Sequence, residues 1–179
     1  IKSSEPKFPT KDENGDGVPD DNEKMVPFQE EPKDPRIKNT GKNDAIVFMK
    51  VTVPAEYITE IKDDGSRSEK QENDIFWMKL DSDSKDSHSN SFDPEWTELT
   101  DVDGDLVDES DCNEEGRGRV YIFGYRTRLS ENRSTSALFD KVQNKRYGSQ
   151  TISPTEKEQI IIDSYAVQAD DIYKDGKVV

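Results

Sequence analysis

The chain has 179 residues, enough for one domain with appendages, and 25 Lys and Arg against 40 Asp and Glu give a net charge of −15. So acidic a surface repels phosphate backbones, which argues against nucleic-acid binding, and no apolar run approaches the roughly 18–20 residues that span a bilayer as a helix. One cysteine, Cys112, cannot make an internal disulfide, and one histidine, His88, cannot build the multi-histidine zinc site of a hydrolase.

Residues 1–43 read as an extended arm, with Pro6, Pro9, Pro19, Pro27, Pro32 and Pro35 spread along them. Each proline removes a ladder donor, so this stretch cannot supply central sheet strands. Phe8, Val26, Phe28 and Ile37 are its isolated apolar residues, placed to pin the arm to a core. Inside it, Asp12–Glu23 fits the twelve-residue calcium loop at every constrained position. Asp12, Asn14 and Asp16 offer side-chain oxygens at positions one, three and five, and Gly17 makes the sharp turn. Val18 offers its carbonyl, Asp20 a ligand or bridging water, and Glu23 a bidentate carboxylate. Calcium wants six to eight hard oxygens, and one such loop supplies most of them. Pro19 at position eight and the absence of flanking amphipathic helices depart from the EF-hand. The stretch more closely resembles the solitary calcium loops of extracellular bacterial proteins, which stiffen an otherwise floppy segment. The competing reading is an acidic, solvated turn without metal.

Charged residues are 36% of the chain and hydrophobic ones only 30%, yet Ile and Val outnumber Leu and Phe two to one and occur in clusters, the pattern of strands between solvated loops. The alternation over Asp44–Val53 predicts the first long strand, with Ala45, Val47, Met49, Val51 and Val53 on one face and Ile46, Phe48, Lys50 and Thr52 on the other. Pro54 ends it. Ile58 and Ile61 precede a polar loop, Lys62–Asn73, turned at Asp64-Gly65. Ile75–Leu80 predicts a second strand, followed by a Ser/Asp-rich loop, Asp81–Asp93, with no capacity to bury itself. Trp96 and Leu99 form a short apolar unit, and Asp101–Glu115 another acidic loop. Arg119–Arg126 is the clearest β segment, aromatic and β-branched together. Ser136–Val142 and Glu158–Ala169 complete the set, although Ser134–Asn144 also suits a short helix. Strands separated by loops, without alternating helices, predict a mostly β chain folded as an antiparallel sandwich over 44–172, with a polar tail at 173–179.

The remaining chemistry-bearing residues carry little. Asp101–Asp108 places its glycine at the wrong position for the calcium loop and reads as a solvated hairpin. His88 sits in a polar loop with nothing to orient it against a nucleophile. Acidic neighbours make Cys112 a poor nucleophile, and Gly116-Arg117-Gly118 is too short to cradle a phosphate. Trp77, Trp96, Tyr121, Phe123 and Tyr125 suit a core better than a carbohydrate platform. No catalytic set is expected.

Three sets of residues resemble the TasA/camelysin group of secreted proteins from Gram-positive bacteria, whose leaders are cut by the dedicated SipW signal peptidase. The first is the run Asp34–Val51, with Asp34-Pro35, Asn39-Thr40-Gly41 and Asn43-Asp44-Ala45 at its core. The second is Trp96-Thr97-Glu98-Leu99 ahead of a Tyr-rich strand. The third pairs Ser136–Val142 with Ile162–Asp170. The resemblance covers roughly residues 30–172. It implies a jelly-roll β-sandwich, export to the cell surface, and a role as a biofilm-matrix or fibre subunit in which an N-terminal strand can be donated to a neighbour. No secretory leader is visible, and a start at Ile1 rather than Met leaves room for one removed upstream. Camelysin is described as a surface metalloprotease, but this chain lacks the HExxH pattern and has a single histidine, so the enzymatic reading is the weaker one. The expectation is a secreted structural protein with a structural calcium ion, associating with itself or with other matrix proteins. The alternative is a monomeric, calcium-stiffened adhesion or ligand-binding module whose long loops carry the binding residues.

Overall fold

The computed structural model describes residues 1–4, 30–62, 64–99, 119–145, 160–169, 173–174 and 177–178. In chain order the strands are β1 (Lys2–Ser4), β2 (Glu30–Pro32), β3 (Arg36–Lys38), β4 (Ala45–Val53), β5 (Ala55–Ile58), β6 (Gln71–Asp74), β7 (Phe76–Lys79), β8 (Trp96–Glu98), β9 (Arg119–Tyr125), β10 (Lys141–Asn144), β11 (Ile161–Gln168), β12 (Tyr173–Lys174) and β13 (Lys177–Val178). A four-stranded sheet runs β11-β4-β9-β8 and a three-stranded sheet β2-β10-β7, while β1 pairs with β3, β5 with β6 and β12 with β13. Every one of these pairings is antiparallel.

The strand β4 is central, as its two-faced apolar start predicts. Ala45, Val47, Met49, Val51 and Val53 are buried while Ile46, Phe48 and Lys50 are half-buried. Val47, Met49, Val51, Trp96 and Phe123 of the larger sheet share one core with Phe76, Met78 and Val142 of the smaller. Two antiparallel sheets closed over a common core are the arrangement of a β-sandwich. Each fully buried apolar side chain contributes roughly 1.5–3 kcal/mol, so the β-branched clusters supply what the acidic loops cannot.

Among the described residues the arm contributes three short strands, β1, β2 and β3. Pro32 is exposed on β2, at the edge of the smaller sheet, where a missing donor costs nothing. Ile37 is completely buried and does pin the segment to the core.

Three local expectations shift. The polar stretch 62–73 ends in β6, paired with β5 in a hairpin that the Ile61–Arg67 bridge continues and that turns at Gly65, φ 80°. Its register comes from the partner strand, since Gln71–Asp74 has no strand-forming side chains of its own. The strand expected at Ser136–Val142 begins at Lys141. Leu138 and Phe139 before it are buried, and their segment is tied by Leu138 N–H to Pro35 O and Asp140 N–H to Lys79 O, at 3.1 and 2.9 Å. The loop Asp81–Asp93 is anchored rather than free, as described next.

Candidate functional site

The calcium-type residues Asp12, Asn14, Asp16, Val18, Asp20 and Glu23 lie outside the described residues, as do the 101–108 cluster, Cys112 and Gly116–Gly118. Among the described residues no three His, Cys, Asp or Glu side chains are grouped to hold a metal ion. His88 is described, and its imidazole stacks on Trp77 with ring centroids 4.8 Å apart and planes at 21°. Lys145 Nζ lies 5.3 Å from the same indole. Trp96 and Phe123 belong to the core and Tyr121 and Tyr125 pack against it, while Trp77, also buried, lies on the other face of β7 beneath His88.

The four outer edges of the two larger sheets are treated differently. Along β7, the loop that follows folds back as a substitute strand. Met78 N–H donates to Asn90 Oδ1 at 3.0 Å, and Ser91 N–H donates to Met78 O at 2.9 Å. Leu80 N–H donates to Asp83 Oδ2 at 2.8 Å, and the Ser91 hydroxyl donates to the same carboxylate. Polar side chains thus close an edge that apolar patterning would leave open. The edges at β2 and β8 are three residues long, too short to template much pairing. By contrast β11 is eight residues long, zipped to β4 from Ile161↔Thr52 to Gln168↔Ala45, and no described strand pairs with its other side.

Short β1 runs beside that open side but forms its ladder with β3. Two clefts flank the gap. One, of about 240 Å³, is lined by Ser3, Ser4, Lys33, Pro35, Ile160 and Ile162. The other, of about 230 Å³, includes Ile1, Ala45, Ala166 and Val167. The outward face here is apolar as well. Tyr165 and Val167 are 52% and 45% exposed and sit opposite Phe48 and Ile46 on β4. Phe48 in turn lies opposite Gly124 of β9, where a Cβ would meet Leu99 at 3.3 Å and the Phe48 ring at 3.6 Å. A glycine at this rung lets the ring lie flat across the sheet. Lys50 opposite Asp163 adds a favourable charge pairing on the same face.

Two buried polar clusters were not visible in the sequence. On the outer side of β7, Lys79 is fully buried beneath the 81–92 loop. Its ammonium donates to Ser84 O at 2.9 Å, Gln143 Oε1 at 3.0 Å, Lys85 O at 3.3 Å and Glu30 Oε1 at 3.4 Å. Lys79 is the rung partner of Lys141, and Glu30 spans the two like charges, its Oε2 lying 3.2 Å from Lys141 Nζ. That bridge fixes β2 on the sheet. A strand lysine normally signals a solvated face, so only the returning loop makes this site, and nothing local announces it.

The second cluster is at the start of β9. The Tyr121 hydroxyl donates to Asp74 Oδ2 at 2.5 Å, and Arg119 Nε is 3.6 Å from Asp74 Oδ1. Burial, then the Asp74 charge, push the Tyr121 phenol well above its usual range. Burial also lowers the Lys145 ammonium, against the pull of Asp74 and Glu60. Burial alone raises the Glu98 carboxyl.

Residues of the turn into β4 and of the segment around Trp96 have a clear structural task. Asn39 Nδ2 donates to Asn43 O at 2.8 Å and to Leu129 O at 2.7 Å, while its Oδ1 accepts from Gly41 N–H at 2.9 Å. One side chain thus shapes the turn into β4 and joins it to the strand exit after β9. Trp96 Nε1 reaches Ser136 O at 3.3 Å, and the Ser136 hydroxyl donates to Asp93 Oδ1 at 3.0 Å. No family model, curated protein or solved structure matches the chain.

Proposed function

We propose that this chain is a non-catalytic structural subunit of the cell surface or extracellular matrix, of the TasA/camelysin type, which associates with copies of itself along β11. The observation that carries the reading is the contrast between edges. Among the described residues, β7 is closed by a loop and the edges at β2 and β8 are short, while eight residues of β11 have no described strand on their outer side and lie beside two clefts and an apolar face. An edge of that length is a template for a strand from another chain. The resemblance adds export, a jelly-roll connection and a matrix role. In this reading Asp12–Glu23 binds a structural calcium ion at the millimolar levels found outside cells.

A monomeric binding module is the second reading, favoured by the anchored 81–93 loop, which forms a preset polar surface on a rigid sandwich. Negative-stain electron microscopy of concentrated protein, in millimolar calcium and in chelator, separates the two. Filaments or ordered chains of particles are expected. Uniform single particles under both conditions would overturn self-association and leave the binding module.

A further inference from the structure

Lys79 is among the largest side chains in the described structure that are fully buried. Lysines almost never reach that state unless paired, and this one is held against a carboxamide and a carboxylate together. Its Nζ is 3.0 Å from Gln143 Oε1 and 3.4 Å from Glu30 Oε1. The Gln143 carboxamide is itself 2% exposed, and its Nε2 donates to Lys85 O at 3.3 Å. Since Oε1 is one carbonyl bond from Cδ, the amine nitrogen stands within about 4.2 Å of the carboxamide carbon. Lys141, 3.2 Å from Glu30 Oε2, keeps that carboxylate aimed at the pair. A buried amine and a buried carboxamide are thereby held together beside a carboxylate proton carrier whose side chain is 17% exposed, so that fixed proximity replaces a bimolecular encounter.

We propose that Lys79 and Gln143 join in an intramolecular isopeptide bond that the folded protein makes by itself. Glu30 accepts a proton from the Lys79 ammonium, freeing the nitrogen lone pair to attack Gln143 Cδ. The new N–C bond forms as the carbonyl electron pair moves onto Oε1. Glu30 then returns its proton to Nε2, the carbonyl re-forms, and the C–Nε2 bond breaks. The attacking nitrogen gives up a further proton, and the leaving ammonia carries it away as ammonium. An ammonium and a primary carboxamide become a secondary amide and an ammonium ion, with nothing oxidised or reduced. The bond ties β7 to β10 across the smaller sheet and fastens the chain from residue 79 to residue 143 into a closed loop, independently of how copies associate.

Intact mass spectrometry of the purified full chain in denaturant tests this directly. The expected mass is lower than the sequence mass by one ammonia, and proteolysis is expected to release a branched peptide joining Lys79 to Gln143. Lys79→Arg should show its full sequence mass. Glu30→Gln should do the same while keeping the native circular dichroism spectrum. A parent chain at full sequence mass would overturn the proposal. So would a deficit that maps elsewhere, since succinimide formation at Asn14-Gly15 also releases ammonia and the branched peptide is the distinguishing product. A cross-link surviving in Glu30→Gln would overturn the proton-carrier role. Should Lys79→Arg fail to fold, the parent's peptide map still decides.

Discussion

Single side chains organise the crossings between the arm and the sandwich. Thr135 Oγ1 accepts the buried Ile37 N–H at 3.0 Å, and Thr135 N–H donates back to Ile37 O at 2.9 Å. Thr135→Val keeps the shape and strands the amide, so urea unfolding should show stability lower by about 1–3 kcal/mol with an unchanged m-value. Tyr121 makes a pH prediction. Its folded pKa is raised, so above about pH 10, where a free phenol ionises, the unfolded chain has lost a proton that the folded chain keeps. Stability therefore falls as pH rises through that window. Lys145, lowered by burial, acts in the opposite sense just below the ordinary lysine range. Urea midpoints across the alkaline range should fall less steeply for Tyr121→Phe, by up to one proton's worth, about 1.4 kcal/mol per pH unit. Neither the Thr135 nor the Tyr121 contact is legible in the sequence. Ile37 and Thr135 are 98 residues apart in the chain, and Asp74 falls between the polar loop and the strand that the sequence predicts. A hydrogen bond between residues so distant in the chain leaves no periodicity to detect.

At the scale of elements, strands with apolar alternation announce themselves and strands set by a partner do not. Val47, Met49 and Val51 define β4 unaided, and the aromatic run Arg119–Tyr125 defines β9. Gln71–Asp74 becomes β6 only because Ala55–Ile58 stands opposite. Similarly, Ser84, Asn90 and Ser91 look like solvated loop residues until β7 offers them backbone groups and a buried ammonium. Apolar residues on both faces of β11 mark it as a strand in the sequence, but its position at an open edge follows from topology. Val167→Lys places a charge at that edge on a residue already 45% exposed. Its folding stability should stay within about 0.5 kcal/mol of the parent, while sedimentation at high concentration should show association reduced or lost. Association as strong as the parent's would remove β11 as the contact.

At the scale of the whole molecule, a net charge of −15 opposes contact between copies, so a cation held by the proposed calcium loop would also ease association. Asp16→Ala removes a central ligand of the calcium-type loop. Calcium should raise the melting temperature of the parent and not of the variant, and the two should melt alike in chelator. Composition and clustering made the β class legible. The sandwich was legible as well, but the assignment of strands to its two sheets, with β7 and β10 sharing a core with β4 and β9, follows only from the structure. A mechanical consequence follows from the β4–β11 register. Ala45 and Gln168 are rung partners, and Ala169 N–H continues the ladder to Asp44 O at 2.9 Å. Tension carried into the sandwich through Asp44 and out through Ala169 therefore falls on one end of that ladder. It would part the eight rungs in succession, as a zipper opens, rather than load them all at once, so a pull through these two points meets the fold in its weakest direction.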